Sequence, residues 1–165
     1  MLESMGLVFA LTGMALAVFL SGIGSSIGLG IASKSATAVL SEKPERYGIL
    51  MLMVVLPSTQ GIYGFVVGLF VMIKLNIFAG VDAMYAVTWA QGLQIMAACL
   101  PVAIAGMISA IHQGKTGAAG IMMAAKRPEL AFKAGVVFAA MIELYAILGF
   151  LISLLTLMLG IKVGA

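Results

Sequence analysis

Four long stretches of the chain are almost free of charged side chains, and short polar connections separate them. Met5–Ser33 and Tyr47–Ile73 contain no Asp, Glu, Lys or Arg. Ala83–Gly114 adds only the neutral-capable His112, and Ala134–Ile161 contains a single charge, Glu143. Each run exceeds the roughly 20 residues needed to cross a hydrocarbon core about 30 Å thick. The pattern predicts an all-α membrane protein with four transmembrane helices, over about 5–33, 47–74, 83–114 and 134–161.

Composition strengthens this reading. Of 165 residues, 63% are hydrophobic and 9% charged, with a mean hydropathy of +1.20. A soluble domain carries roughly a quarter charged residues, and a chain of this length could not enclose so much apolar surface. The first apolar run is long and is preceded by Glu3 rather than by a basic cluster, so it does not read as a cleavable leader. Seven of the nine basic residues lie in the first and third connections: Lys34, Lys43, Arg46, Lys115, Lys126, Arg127 and Lys133. That asymmetry predicts a multi-pass cell-membrane protein with loops near 34–46 and 115–133 in the cytoplasm and both termini on the opposite side. No aromatic residues are interleaved with the basic ones, so no nucleic-acid partner is expected. The lone Cys99 sits in a span and reads as a small packing residue.

An offset of 84 residues superposes the two halves without gaps. Gly22 falls on Gly106, Ser25 on Ser109 and Gly30 on Gly114, and the turn Lys43-Pro44-Glu45 falls on Arg127-Pro128-Glu129. Two duplicated helical hairpins in parallel orientation follow, residues 1–82 and 83–165. The same offset places Thr59 on Glu143, so one carboxylate serves four helices.

That carboxylate is where chemistry is expected. A charge at a helix centre costs about 3 kcal/mol on insertion scales, and a purely structural helix has no need of it. Glu143 lies fifteen residues after Pro128 and Gln113 fifteen before it; Thr59 and Gln60 are fifteen and sixteen residues past Pro44. In equivalent antiparallel hairpins these four side chains share one depth, about 22 Å from the turns, with Tyr63 one turn further. Two amides, a hydroxyl and a carboxylate form a hard-oxygen set suited to an alkali cation or a proton. A proton needs only the carboxyl, so the surrounding amides favour a dehydrated ion, Na⁺ before H⁺. Two plainer readings stand beside this one: the polar groups bond only to each other across helices, or Lys115 neutralises Glu143.

Other features are architectural. Gly22, Gly24, Gly28 and Gly30 resemble a dinucleotide fingerprint, but the spacing is wrong and no strand precedes them, so they read as a surface for close helix approach. Pro57 and Pro101 lie inside spans and should kink them or free a carbonyl. His112 neighbours Gln113 but points elsewhere on the helix and is left out of the site.

The segments Leu56-Pro57-Ser58-Thr59-Gln60-Gly61-Ile62-Tyr63-Gly64, His112-Gln113-Gly114-Lys115 and Glu143-Leu144-Tyr145-Ala146-Ile147-Leu148-Gly149-Phe150 together resemble the membrane rotor proteolipid (c or K subunit) of rotary V-type ATPases, closest to the bacterial sodium-pumping branch. The resemblance spans essentially the whole chain and departs at Ser58, where Gly is common. It implies a rotor ring of identical subunits in lipid, turned by a separate soluble ATPase sector. A central-stalk subunit would meet the cytoplasmic loops, and a stator membrane subunit would carry an essential Arg. It also implies Na⁺ bound by Glu143, Gln113, Gln60, Thr59 and the backbone carbonyl of Leu56, with Tyr63 locking the carboxylate in its ion-bound pose. Against it stand a rotor carrying H⁺, and a small secondary transporter or channel that uses Glu143 alone. The chain itself is not expected to be an enzyme: it has no nucleotide-binding loop, nucleophile–base pair or Cys/His metal cluster.

Overall fold

The computed structural model describes residues 2–80 and 86–163, with side chains from Met5 onward. Five α-helices make up four spans: α1 (Leu2–Leu40), α2 (Tyr47–Val55) and α3 (Thr59–Lys74), then α4 (Trp89–Lys126) and α5 (Val137–Leu155). A tight turn, Leu56–Ser58, joins α2 to α3 within the second span. A wide turn, Ala131–Val136, leads into α5, and another, Thr156–Gly160, ends it. Among the described residues, four segments are long and apolar enough to cross a membrane: Met5–Leu40, Pro44–Lys74, Trp89–Lys126 and Pro128–Gly160. The protein is therefore an all-α, multi-pass membrane protein.

The helices outrun the uncharged stretches that announce them. Lys34 and Lys115 lie inside α1 and α4 rather than beyond their ends, because a long basic side chain can keep its ammonium in the interface while its backbone continues the helix. At 39 and 38 residues, α1 and α4 are each nearly 60 Å long at about 1.5 Å per residue, well beyond a bilayer core. The third span begins at Trp89, later than the apolar run suggests. Thr88 caps it, its hydroxyl accepting the Gln91 N–H at 3.3 Å while the Gln91 side chain accepts the Thr88 N–H at 3.0 Å. Residues 83–85 of that run, and with them the expected division between hairpins, lie outside the described residues.

Between α1 and α4 there is almost no side-chain layer. A methyl group added at Gly13 or Gly24 would stand 2.5 Å from the Cα of Met96 or Met107, and one at Gly28 would strike the Ala110 carbonyl. From α4, Gly92 and Gly114 press on the backbones of Gly6 and Gly28. The contacts advance together along both chains, so the helices run parallel, with the duplicated positions side by side. Small residues give this backbone approach, the main source of association where lipid removes the hydrophobic drive between helices.

The other spans lie against this pair. Two buried apolar clusters result, one around Val67, Val71, Ile95, Val102 and Leu157, the other around Leu50, Met53, Ile121 and Ala131. Between them lies a polar layer in which Gln60 and Gln113 are fully buried. Each proline inside a span is followed by an N–H that a serine from a neighbouring helix serves, past the break at Pro57 and within the unbroken α4 at Pro101. Ser25 Oγ accepts the Gly61 N–H at 2.8 Å just past Pro57, and Ser153 Oγ accepts the Val102 N–H at 3.0 Å just past Pro101. Lys43 and Arg46 of the first loop donate to the carbonyls of Ala125 and Ala124, placing two cations at the negative end of α4.

The gapless 84-residue superposition needs correction in the outer spans. Gly64 packs on Ala17 and Ser21, whereas Gly149 packs on Pro101 and Ala105. Gly68 meets Val18 as Ser153 meets Val102. The inner partners in both comparisons are 84 apart and the outer ones 85. The wide turn at 131–136 takes more residues per turn, and the tight turn at 56–58 takes fewer, so α5 runs one residue behind α3. Past the tight turn the outer spans therefore superpose at an offset of 85 rather than 84.

Gly24→Ala should lower stability by about 1–3 kcal/mol through overpacking, although alanine gains roughly 1 kcal/mol of helix propensity. Gly48→Ala, where a methyl meets nothing within 4 Å, should not. Thermal unfolding in detergent followed by circular dichroism compares the two, and equal midpoints would contradict the close seam.

Candidate functional site

The polar layer is assembled from three spans. The tight turn through Pro57 brings Leu56 and Thr59 together: the Leu56 carbonyl accepts both the Thr59 N–H and, at 2.9 Å, the Thr59 hydroxyl. The Thr59 hydroxyl also lies 3.3 Å from Gln60 Oε1. Gln60 Nε2 donates to Gln113 Oε1 at 2.7 Å, crossing from α3 to α4.

From Gln113 the chain of bonds reaches α5. Gln113 Nε2 donates to the Ala139 carbonyl at 3.0 Å and lies 3.4 Å from Glu143 Oε2. The other carboxylate oxygen, Oε1, accepts from the Tyr63 hydroxyl at 2.6 Å, a length typical of a charge-assisted O–H···O⁻ bond. The Tyr63 ring is held against Phe150, centroids 5.2 Å apart, so the phenol approaches Glu143 from a packed position. Leu56, Thr59, Gln60, Tyr63, Gln113 and Glu143 thus form one connected network. No buried side-chain N or O among the described residues lacks a partner.

The carboxylate has no cationic neighbour in this network. The ion pairs among the described residues are Arg46–Glu45 and Arg127–Glu129, both in the loops, so Lys115 does not neutralise Glu143. Glu143 itself is half-buried, with exposed Met141, Leu144 and Tyr145 around it on the outer face of α5. His112 faces away from the network and is exposed. Two participants were not anticipated from the sequence. The Ala139 carbonyl, one turn before Glu143, orients Gln113, and Ser25 holds the backbone just past Gln60. A backbone acceptor carries no sequence signal, whereas Ser25 belonged to the small-residue stripe and could have been read as a partner for the freed N–H after Pro57.

Comparison with known proteins follows the same lines. The family model for the C subunit of ATP synthase matches twice, at residues 12–71 and 96–156. The two matches begin 84 residues apart, in line with the duplication of the hairpin. The K subunit of a V-type sodium ATPase from Enterococcus hirae is 46% identical over 150 residues, covering 91% of this chain and 90% of that protein. The K subunit of an A-type ATP synthase from Methanocaldococcus jannaschii is 37% identical over 158 residues, covering 96% of this chain and 65% of that protein. The chain belongs to the family of ATP synthase C subunits, as a non-catalytic, ion-translocating membrane protein built from two duplicated hairpins.

Proposed function

We propose that this chain is the rotor subunit of a V-type ATPase and that it carries Na⁺ across the membrane on Glu143. Copies stand side by side in a lipid-embedded ring, and ATP hydrolysis in a separate soluble sector drives rotation. The observation that carries this reading is the continuous network from the Leu56 carbonyl to the Glu143 carboxylate. It brings oxygen donors from five residues and three spans to one depth, in a chain 46% identical to a sodium ATPase subunit. In this proposal Glu143, Gln113, Gln60, Thr59 and the Leu56 carbonyl are the ligands, and Tyr63 holds the carboxylate. Each amide carries its oxygen and nitrogen on one pivot, so a half-turn exchanges a donor for a ligand.

The physics of the cycle rests on the carboxylate. With Na⁺ bound, Glu143 is neutralised and can face lipid as the ring turns. Emptied, it is an anion that hydrocarbon excludes by about 3 kcal/mol or more, so it persists only opposite water or a compensating cation. A stator membrane subunit with an Arg supplies that cation, which forces ion release at one angular position. The loops near 34–46 and 115–133 face the cytoplasm and meet the central stalk, while both termini lie on the other side; the density of Lys and Arg in those loops supports this orientation.

Carbodiimide attacks protonated carboxyls, so its rate of reaction with Glu143 reports whether Na⁺ holds the site. Millimolar Na⁺, but not K⁺ at equal ionic strength, should slow labelling about tenfold or more, a change worth about 1.4 kcal/mol per decade. Labelling that follows pH alone would make the protein a proton carrier and the amides a hydrogen-bond network. Removing the phenol donor with Tyr63→Phe should forfeit about 1.5–3 kcal/mol of hydrogen bonding to a charged acceptor. The Na⁺ concentration giving half-protection should then rise by roughly an order of magnitude or more. An unchanged value would remove Tyr63 from the site.

A further inference from the structure

Three of the five proposed ligands sit within five consecutive residues, Leu56–Gln60, and the chain there has little stiffness of its own. Pro57 interrupts the second span in a tight turn. Gly61, a residue with a broad choice of backbone torsions, follows directly on the ligands. The surface on which this segment lies therefore decides where Thr59 and Gln60 stand.

That surface is one face of α1. Gly28, Ser25 and Ser21 meet Pro57, Gly61 and Gly64 in turn. A methyl at Gly28 would come within 2.9 Å of Pro57 Cβ, one at Gly61 within 3.1 Å of Ser25 Oγ, and one at Gly64 within 2.6 Å of Ser21 Oγ. The two flanking contacts are matters of shape, and the Ser21 hydroxyl donates elsewhere, to the Val102 carbonyl at 3.1 Å. The middle contact is directional: the Gly61 N–H donates to the buried Ser25 Oγ at 2.8 Å. A peptide is planar, so one bond to this N–H orients the unit that joins Gln60 to Gly61. It thereby places the root of the side chain whose amide reaches Gln113 at 2.7 Å. Because α1 also carries α4 along the glycine seam, one helix sets both ends of that amide pair. The bond is not a general property of the repeat. Ser109, the image of Ser25, turns back to the Gly106 carbonyl of its own helix at 3.3 Å.

We infer that Ser25 is a positioning residue for the ion. Its hydroxyl holds the Gln60–Gly61 peptide so that the side-chain ligands stand ready for a dehydrated cation, and this sets the preference of the site for Na⁺ over H⁺. The inference rests on the Na⁺ reading above and adds a residue outside the ligand set. A proton needs only the Glu143 carboxylate, which Tyr63 and Gln113 orient. Na⁺ needs every ligand at once, and a ligand free to wander must be ordered again at each binding. Loss of the Ser25 bond therefore weakens Na⁺ and leaves the proton nearly untouched.

The test compares carbodiimide labelling of Glu143 in full-length Ser25→Ala and Ser153→Ala, at one pH and over a range of Na⁺ concentrations. Both substitutions remove a serine that accepts an N–H just past a proline. The Ser153 partner, Val102, stands eleven residues from Gln113, about 16 Å along α4. In Ser25→Ala the Na⁺ concentration giving half-protection should rise roughly five- to tenfold, while the Na⁺-free labelling rate stays within about twofold of the unsubstituted protein. In Ser153→Ala neither quantity should move by more than about twofold. An unchanged half-protection in Ser25→Ala, an equal rise in Ser153→Ala, or a Na⁺-free rate altered to the same degree would overturn the inference and leave the Na⁺ reading standing. Labelling of the unsubstituted protein that ignores Na⁺ would remove both. Gly61→Ala approaches the bond from the other side and keeps both partners. Its methyl, 3.1 Å from Ser25 Oγ, lengthens the bond, so half-protection should rise here too. A value like that of the unsubstituted protein would overturn the inference even where Ser25→Ala does not fold.

Discussion

Two helices in lipid gain nothing hydrophobic by touching, so they stay together only where backbones come close enough for dispersion and weak polar contacts to accumulate. The α1–α4 seam meets that requirement through Gly6, Gly13, Gly24 and Gly28 on one side and Gly92, Gly106 and Gly114 on the other. Its parallel run fixes the height of Gln113 relative to α1 and gives α3 and α5 the surface on which they lie. Gln60 and Glu143 can then meet Gln113 from two directions. A seam held apart by larger side chains would widen the distances across this layer, and bonds of 2.7 and 3.4 Å leave little slack.

Within that frame the polar layer and the helix breaks depend on each other. Pro57 removes a backbone donor and tightens the chain at Leu56–Ser58, where the Leu56 carbonyl accepts from Thr59. The cost falls on the next turn, where the Gly61 N–H takes Ser25 Oγ from α1. The same arrangement recurs past Pro101, where Ser153 of α5 holds the Val102 N–H and thereby ties α5 to α4 one face away from Glu143. A membrane interior tolerates irregular backbone only where neighbouring groups satisfy it, and here the satisfying groups come from the helices that must be held in place.

Much of this was legible in the sequence. Charge-free runs marked the four spans, and counting residues from Pro44 and Pro128 put Glu143, Gln113, Gln60 and Thr59 at one height. Counting works because a helix rises by nearly the same amount at each residue. It fails where the turn itself changes, and the wide turn at Ala131–Val136 is such a place. Ala131-Phe132-Lys133-Ala134-Gly135-Val136 differs from Tyr47-Gly48-Ile49-Leu50-Met51-Leu52 of the first hairpin in carrying Lys133, but a charge near a span's end does not predict a wider turn. What marks the turn in the structure is a packing contact, Gly135 lodged against Gly120 and the Met53 sulfur. The capping of α4 by Lys43 and Arg46 was equally hidden, since basic loop residues announce a membrane face without naming the carbonyl they serve.

The duplication left two hairpins with unequal duties, and the inequality sets a gear ratio. On the proposed reading, a ring built from these chains has one loading position for every four helices. A ring of two-helix units with the same helix count would have twice as many. Each revolution then moves half as many ions, and the work of a revolution is shared among half as many. The lost carboxylate of the first hairpin acts as a low gear: fewer ions per ATP, each pushed against a steeper electrochemical gradient.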